Sequence, residues 1–119
     1  NEKMSLNKDE ILVAKVLDHL KIKWNRNLVG FDYVDIDGKI RKYYPDFYIS
    51  DFNTYVEYKG WLNEKILHKM NDAINKNSLK LVIIYSNDKR YNKLGLSLRE
   101  LEINPELLIQ KCVYGEMVS

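Results

Sequence analysis

A single cysteine, Cys112, excludes an internal disulfide framework and any cysteine-rich zinc site. The only two histidines, His19 and His68, stand far apart in the chain, which argues against a zinc enzyme. No apolar run approaches the ~20 residues needed to span a bilayer. No secretory signal is present either, so the sequence predicts a cytoplasmic protein without membrane contact. Charge of either sign is not in large excess: 19 Lys and Arg face 17 Asp and Glu, for a net charge of +2. That balance does not demand a nucleic-acid partner, but it leaves room for local basic patches beside an acidic site. Internal repeats, low-complexity tracts and linkers are absent. With 119 residues and a hydrophobic fraction of 45%, the composition is that of one folded domain, 1–119. The chain opens on Asn1 and not on methionine, as a fragment, a processed product or a trimmed chain would.

What the sequence does contain is centred on two short runs, Tyr44-Pro45-Asp46-Phe47-Tyr48-Ile49 and Glu57-Tyr58-Lys59-Gly60. Asp46 lies among aromatic and apolar residues, where an uncompensated carboxylate is costly to bury. Glu57 and Lys59 are two positions apart, so on a strand they share a face and Tyr58 takes the other. Two converging carboxylates suit a hard divalent cation such as magnesium. A neighbouring lysine can orient or deprotonate a water for attack on phosphorus. The competing reading is two exposed carboxylates and a surface lysine on an edge strand.

The flanking pattern supplies context. Residues from Asn7 to about Leu20 predict a helix with Asn7 as cap, Glu10 at the capping-box position and Val13, Val16, Leu17 and Leu20 as its buried stripe. Glu10 is either a cap alone or a cap that also reaches the site. Ile22 to Asn27 reads as a short strand anchored by Trp24. Leu28 to Ile36 and Lys39 to Ile49 read as two antiparallel strands joined at Asp37-Gly38. Pro45 should interrupt pairing, because it has no N–H to donate. Tyr55 to Lys59 is the next strand, Leu62 to about Lys76 a helix, and Leu79 to Tyr85 a strand buried on both faces and parallel to the one before. Leu94 to Glu102 has an uneven helical pattern, and Asn104-Pro105 starts a last helix running to about Cys112. Lys65, Lys69, Lys89 and Arg90 are candidate phosphate contacts, against the alternative of a solvated face. Tyr43, Tyr44 and Tyr48 can stack on bases or pack in the sheet.

Pro45-Asp46…Glu57-Tyr58-Lys59 resembles the signature of the PD-(D/E)xK nuclease superfamily. The likeness extends to element order: a helix carrying Glu10, a hairpin, the Asp46 strand, the Glu57–Lys59 strand, a helix and a buried strand. It implies an αβββαβ restriction-endonuclease-like core over about 7–85, a mixed central sheet flanked by helices, with a helical extension over about 94–112. The resemblance further implies metal-dependent hydrolysis of DNA by an endonuclease domain of homing, phage or mobile-element type. Asp46, Glu57 and the main-chain carbonyl of Tyr58 would hold Mg2+, with Mn2+ as a substitute, and Glu10 would join the active site. Lys59 would position the attacking water. The expected partner is double-stranded DNA, with a homodimer or an appended recognition domain supplying specificity. A junction resolvase, an RNA endonuclease and a catalytically silent nucleic-acid-binding module are the alternatives.

Overall fold

The computed structural model describes residues 7–60, 63–86 and 95–114. The first helix, α1 (Lys8–His19), starts where the capping pattern predicts: the Asn7 side chain accepts from the Glu10 amide, and Glu10 reaches back to the Asn7 amide. Its buried residues are Val13, Ala14, Val16 and Leu17. The chain then forms β1 (Asn25–Arg26), β2 (Phe31–Val34), β3 (Ile40–Tyr43), β4 (Phe47–Ile49) and β5 (Thr54–Lys59). A helix α2 (Glu64–Asn77), capped by Asn63, leads to β6 (Leu81–Tyr85). Then come β7 (Leu96–Ser97), α3 (Leu98–Ile103) and α4 (Leu107–Tyr114).

The result is an α/β fold built on a five-stranded mixed sheet in the order β1-β4-β5-β6-β7. β4 runs antiparallel to β1 and β5, whereas β5, β6 and β7 are mutually parallel. Strand alternation sorts the core into two layers. Val56 and Tyr58 of β5 and Val82 and Ile84 of β6 meet α1, α3 and α4 residues on one face, including Val13, Leu17, Leu101 and Leu108. Ile83 and Tyr85 meet Met70, Ala73 and Ile74 of α2 on the other, together with Tyr33 and Tyr43. β6 is buried along its whole length, as its unbroken apolar run predicts.

Three features depart from the sequence expectations. First, β2 and β3 pair only with each other, in a separate two-stranded sheet. The predicted strand Lys39–Ile49 is split at Tyr44-Pro45-Asp46, so its halves serve different sheets. Proline removes a ladder donor and biases Tyr44 away from helix, which makes this the natural corner. The hairpin docks on α2 instead: Asp72 accepts from the Val34 amide at 2.7 Å, His68 Nε2 lies 2.7 Å from the Val34 carbonyl, and Asn77 donates to the Asp32 carbonyl. Second, Leu96–Ser97 is a strand, too short to leave a periodic signature. Third, the C-terminal helical extension contributes to the core, with Leu101, Leu108 and Cys112 fully buried.

Gly95 permits the approach of β7 to β6. A methyl group there would meet the Ile83 carbonyl oxygen at 2.1 Å. Gly95→Ala is therefore expected to destabilise the fold by about 3 kcal/mol, the upper range for overpacking a dense interior. Urea unfolding of the two proteins side by side measures it.

Candidate active site

The site lies beside the break between β3 and β4 at Tyr44-Pro45-Asp46. Asp46 precedes β4, and Glu57 and Lys59 sit near the C-terminal end of β5. The two acids are locked by each other's strands. The Asp46 amide donates to Glu57 Oε1 at 3.0 Å, and the Tyr58 amide donates to Asp46 Oδ2 at 2.8 Å. Glu57 Oε2 pairs with Lys59 Nζ at 2.9 Å, so Glu57 and Lys59 do share a face while Tyr58 enters the opposite core layer. Glu57 is only 2% exposed. A carboxylate so deep is tolerable because its oxygens meet an ammonium and a backbone N–H.

Electrostatics follow from this crowding. Burial, then the Glu57 charge, push the Asp46 carboxyl up to about 7, against the pull of the Tyr58 N–H. Burial also raises Glu57, with Lys59 opposing. For Lys59, burial favours the neutral amine, but Glu57, Asp46 and Glu10 outweigh it and raise the pKa. Lys59 is therefore an ammonium at neutral pH, suited to orienting a water or stabilising negative charge.

A third acceptor is supplied by the backbone. The Lys59 carbonyl accepts from the Ser86 amide on the β6 side, whereas the Tyr58 amide points to Asp46. The N–H and C=O of one strand residue point the same way, so the Tyr58 carbonyl is turned toward the Asp46 side. Among the described residues, no three His, Cys, Asp or Glu side chains form a group that could hold a metal ion. Magnesium commonly takes only one or two carboxylates and completes its shell with water and substrate phosphate. The donor set of Asp46, Glu57 and the Tyr58 carbonyl is of that kind. Burial raises Asp46 most and repulsion from Glu57 adds to it; a divalent cation would offset both by favouring the ionised carboxylate.

The remaining predicted residues fall into three groups. Glu10 is occupied by its cap, at 3.1 Å from the Asn7 amide, yet its charge acts through space on Asp46 and Lys59. Glu10→Gln, which keeps the cap geometry and removes the charge, is expected to lower the Asp46 and Lys59 pKa values while leaving α1 folded, which an NMR pH titration measures. Unchanged titration of both groups would leave Glu10 as a cap only. Lys69 is half-buried with its Nζ 5.7 Å from the Tyr43 ring centroid, and burial followed by the Lys59 charge lowers its pKa. Lys65 is exposed one turn earlier on α2. Lys89 and Arg90 lie outside the described residues.

Three residues not predicted from sequence to take part in the carboxylate site also shape it. The Tyr43 hydroxyl is buried beside the Glu57 carboxylate. Burial, then the charges of Glu57 and Asp46, raise its pKa well above the ordinary phenol value. Asp9 accepts a 2.5 Å bond from the Tyr58 hydroxyl and so ties α1 to β5. Asn27 is buried; its side chain donates to the Val29 and Pro45 carbonyls and accepts from the Val29 amide, and its own amide donates to the Asp46 carbonyl. Asparagine in a short polar loop gives no hint of such a role, because its partners arrive only with the tertiary fold.

The arrangement defines an α/β protein with a paired-carboxylate and lysine site between β4 and β5 of its mixed sheet. Comparison of the chain with protein-family models, with curated proteins and with solved structures finds no match.

Proposed function

We propose that this chain is a Mg2+-dependent endodeoxyribonuclease of the PD-(D/E)xK type. One observation carries the reading: Asp46 and Glu57 are held by each other's backbone amides beside an ammonium. Burying two carboxylates side by side costs stability, and a binding module has no use for the expense. The order of elements also supports it. Helix α1, antiparallel β1-β4-β5, helix α2 and parallel β6 follow the sequence of an αβββαβ restriction-endonuclease-like core, with the β2–β3 hairpin as an inserted arm.

Asp46, Glu57 and the Tyr58 carbonyl would hold the cation, and Mn2+ would substitute. When bound, such a metal polarises the scissile phosphate and lowers the pKa of a coordinated water. The chain's own residues do the rest. Lys59, fixed by Glu57, orients the attacking water and offsets charge developing on phosphorus. The backbone bonds between Asp46 and β5 keep both carboxylates in register before substrate arrives, so little reorganisation is needed. Lys69 and Lys65 lie on the α2 side of the sheet, where they can meet the backbone of duplex DNA.

Incubation of the parent with linear, branched and single-stranded DNA and with RNA, with and without magnesium, tests the reading. Magnesium-dependent internal cutting of duplex DNA is expected. Preference for branched DNA or RNA would favour a junction resolvase or an RNA endonuclease. Binding without cutting would make the chain a silent nucleic-acid-binding module.

Substituting Lys65 and Lys69 together by alanine is expected to reduce the slope of log affinity against log salt by about 2 units, close to one per phosphate contact. An unchanged slope would return both lysines to the solvated face of α2.

A further inference from the structure

Leu28 and Val29 are 80% and 56% exposed, and Tyr44 beside them is 55% exposed. These apolar side chains stand on two segments that touch: the Tyr44 ring lies so close to Gly30 that a methyl there would meet it at 2.7 Å. The tip is held firmly. Asn27 bonds the Val29 amide at 3.1 Å, the Val29 carbonyl at 2.8 Å and the Pro45 carbonyl at 3.0 Å. Pro45 is the residue before Asp46, so the apolar tip is anchored to the same corner that presents the carboxylate. Exposed Lys23 and Arg26 precede it in the chain, Arg26 on the edge strand β1.

From this juxtaposition, and resting on the nuclease reading, we propose that Leu28 and Val29 form a wedge that enters a base step of duplex DNA bound at Asp46. Apolar side chains inserted from the minor groove partly unstack a step and bend the duplex, and a rigid mounting keeps the ordering cost low. Arg26 and Lys23 meet the flanking phosphates. The edge is a poor surface for a second copy of the chain. A two-fold dimer through this patch would face Arg26 and Lys23 with their own equivalents, and three apolar side chains fall short of the area a stable dimer buries.

The test uses the parent chain and the double variant Leu28→Ser with Val29→Ser, both positions being exposed enough to leave folding intact. A duplex carrying 2-aminopurine at successive positions is titrated in EDTA, where no hydrolysis occurs. The parent is expected to raise fluorescence severalfold at one position, and the variant to lose that rise and about tenfold in affinity, a modest part of the few kcal/mol at stake in an unstacked step. The salt slope should not change, because phosphate contacts remain. Binding by the parent without any rise, or an equal rise with the variant, overturns the wedge. A parent dimer in sedimentation that the variant dissolves also overturns it, and assigns the patch to a second copy. Magnesium-dependent cutting of the same duplex by the parent, measured in parallel, separates the two readings: cutting without unstacking removes the wedge alone, whereas neither binding nor cutting removes both.

Discussion

Lys59→Ala is expected to lower the turnover of duplex cleavage by about 10³-fold, the loss typical of removing one preorganised charge-stabilising group. The ammonium lies 2.9 Å from Glu57 Oε2 and is kept charged by three surrounding carboxylates despite burial. A protonated lysine cannot act as the base, so its contribution is orientation and charge, both of which peak in the transition state. Duplex affinity should change less than threefold, since Lys59 is mostly covered and committed to Glu57. Stability of the metal-free protein should drop by about 1–3 kcal/mol, because a buried acceptor loses a charged partner. Lys59→Arg separates these effects. It retains a positive charge for Glu57 and should recover most of the stability, but its planar fork does not reproduce the position of an ammonium, so turnover should stay low. Near-parental cleavage by folded Lys59→Ala would remove lysine from the mechanism.

Asp46→Asn is expected to weaken metal binding severely and to flatten the pH dependence of stability. Asp46 titrates near 3.8 in an ordinary environment and near 7 in the fold. Between those values the folded state holds a proton that the unfolded chain has released. Stability of the metal-free protein therefore falls as pH rises from about 4 to 7 and then levels off. Glu57, also raised by burial, adds in the same direction. Lys59 does not interfere, because both its folded and unfolded values lie far above this window. The slope approaches 1.4 kcal/mol per pH unit where one group dominates, so parent protein should be more stable at pH 5 than at pH 8 by on the order of 2–4 kcal/mol. Urea unfolding in EDTA at the two pH values measures this difference. Asp46→Asn removes much of it and should be at least as stable as the parent at pH 8. Calorimetric titration with Mn2+ should release protons in the parent and show at least 30-fold weaker binding in Asp46→Asn. A parent that gains stability from pH 5 to pH 8 would make Asp46 an ordinary ion-paired acid.

Local signals carried much of this site. Asn7 and Glu10 close a capping box because four residues suffice to specify it. The period-two spacing of Glu57, Tyr58 and Lys59 placed their faces correctly, and Pro45 marked the break in pairing. What remained illegible depends on contacts between distant segments. The β2–β3 hairpin reads as part of the main sheet until His68 and Asp72 of α2 are seen to take the Val34 backbone. Tyr43 reads as a sheet former, and only the fold buries its hydroxyl near Glu57. Tyr48 packs on Tyr55, with ring centroids 4.8 Å apart, which leaves Tyr44 as the exposed ring of the three considered for stacking. β7 is invisible because two residues carry no periodicity, although Gly95 beside it is the residue such a close approach requires.

The most direct measurement is a time course on supercoiled plasmid with the parent protein in Mg2+, in EDTA, and with Asp46→Asn in Mg2+. The account predicts nicked and then linear plasmid in the first reaction and intact plasmid in the other two. Plasmid that stays supercoiled with the parent in both Mg2+ and Mn2+, or cutting that persists equally in EDTA or with Asp46→Asn, would contradict it.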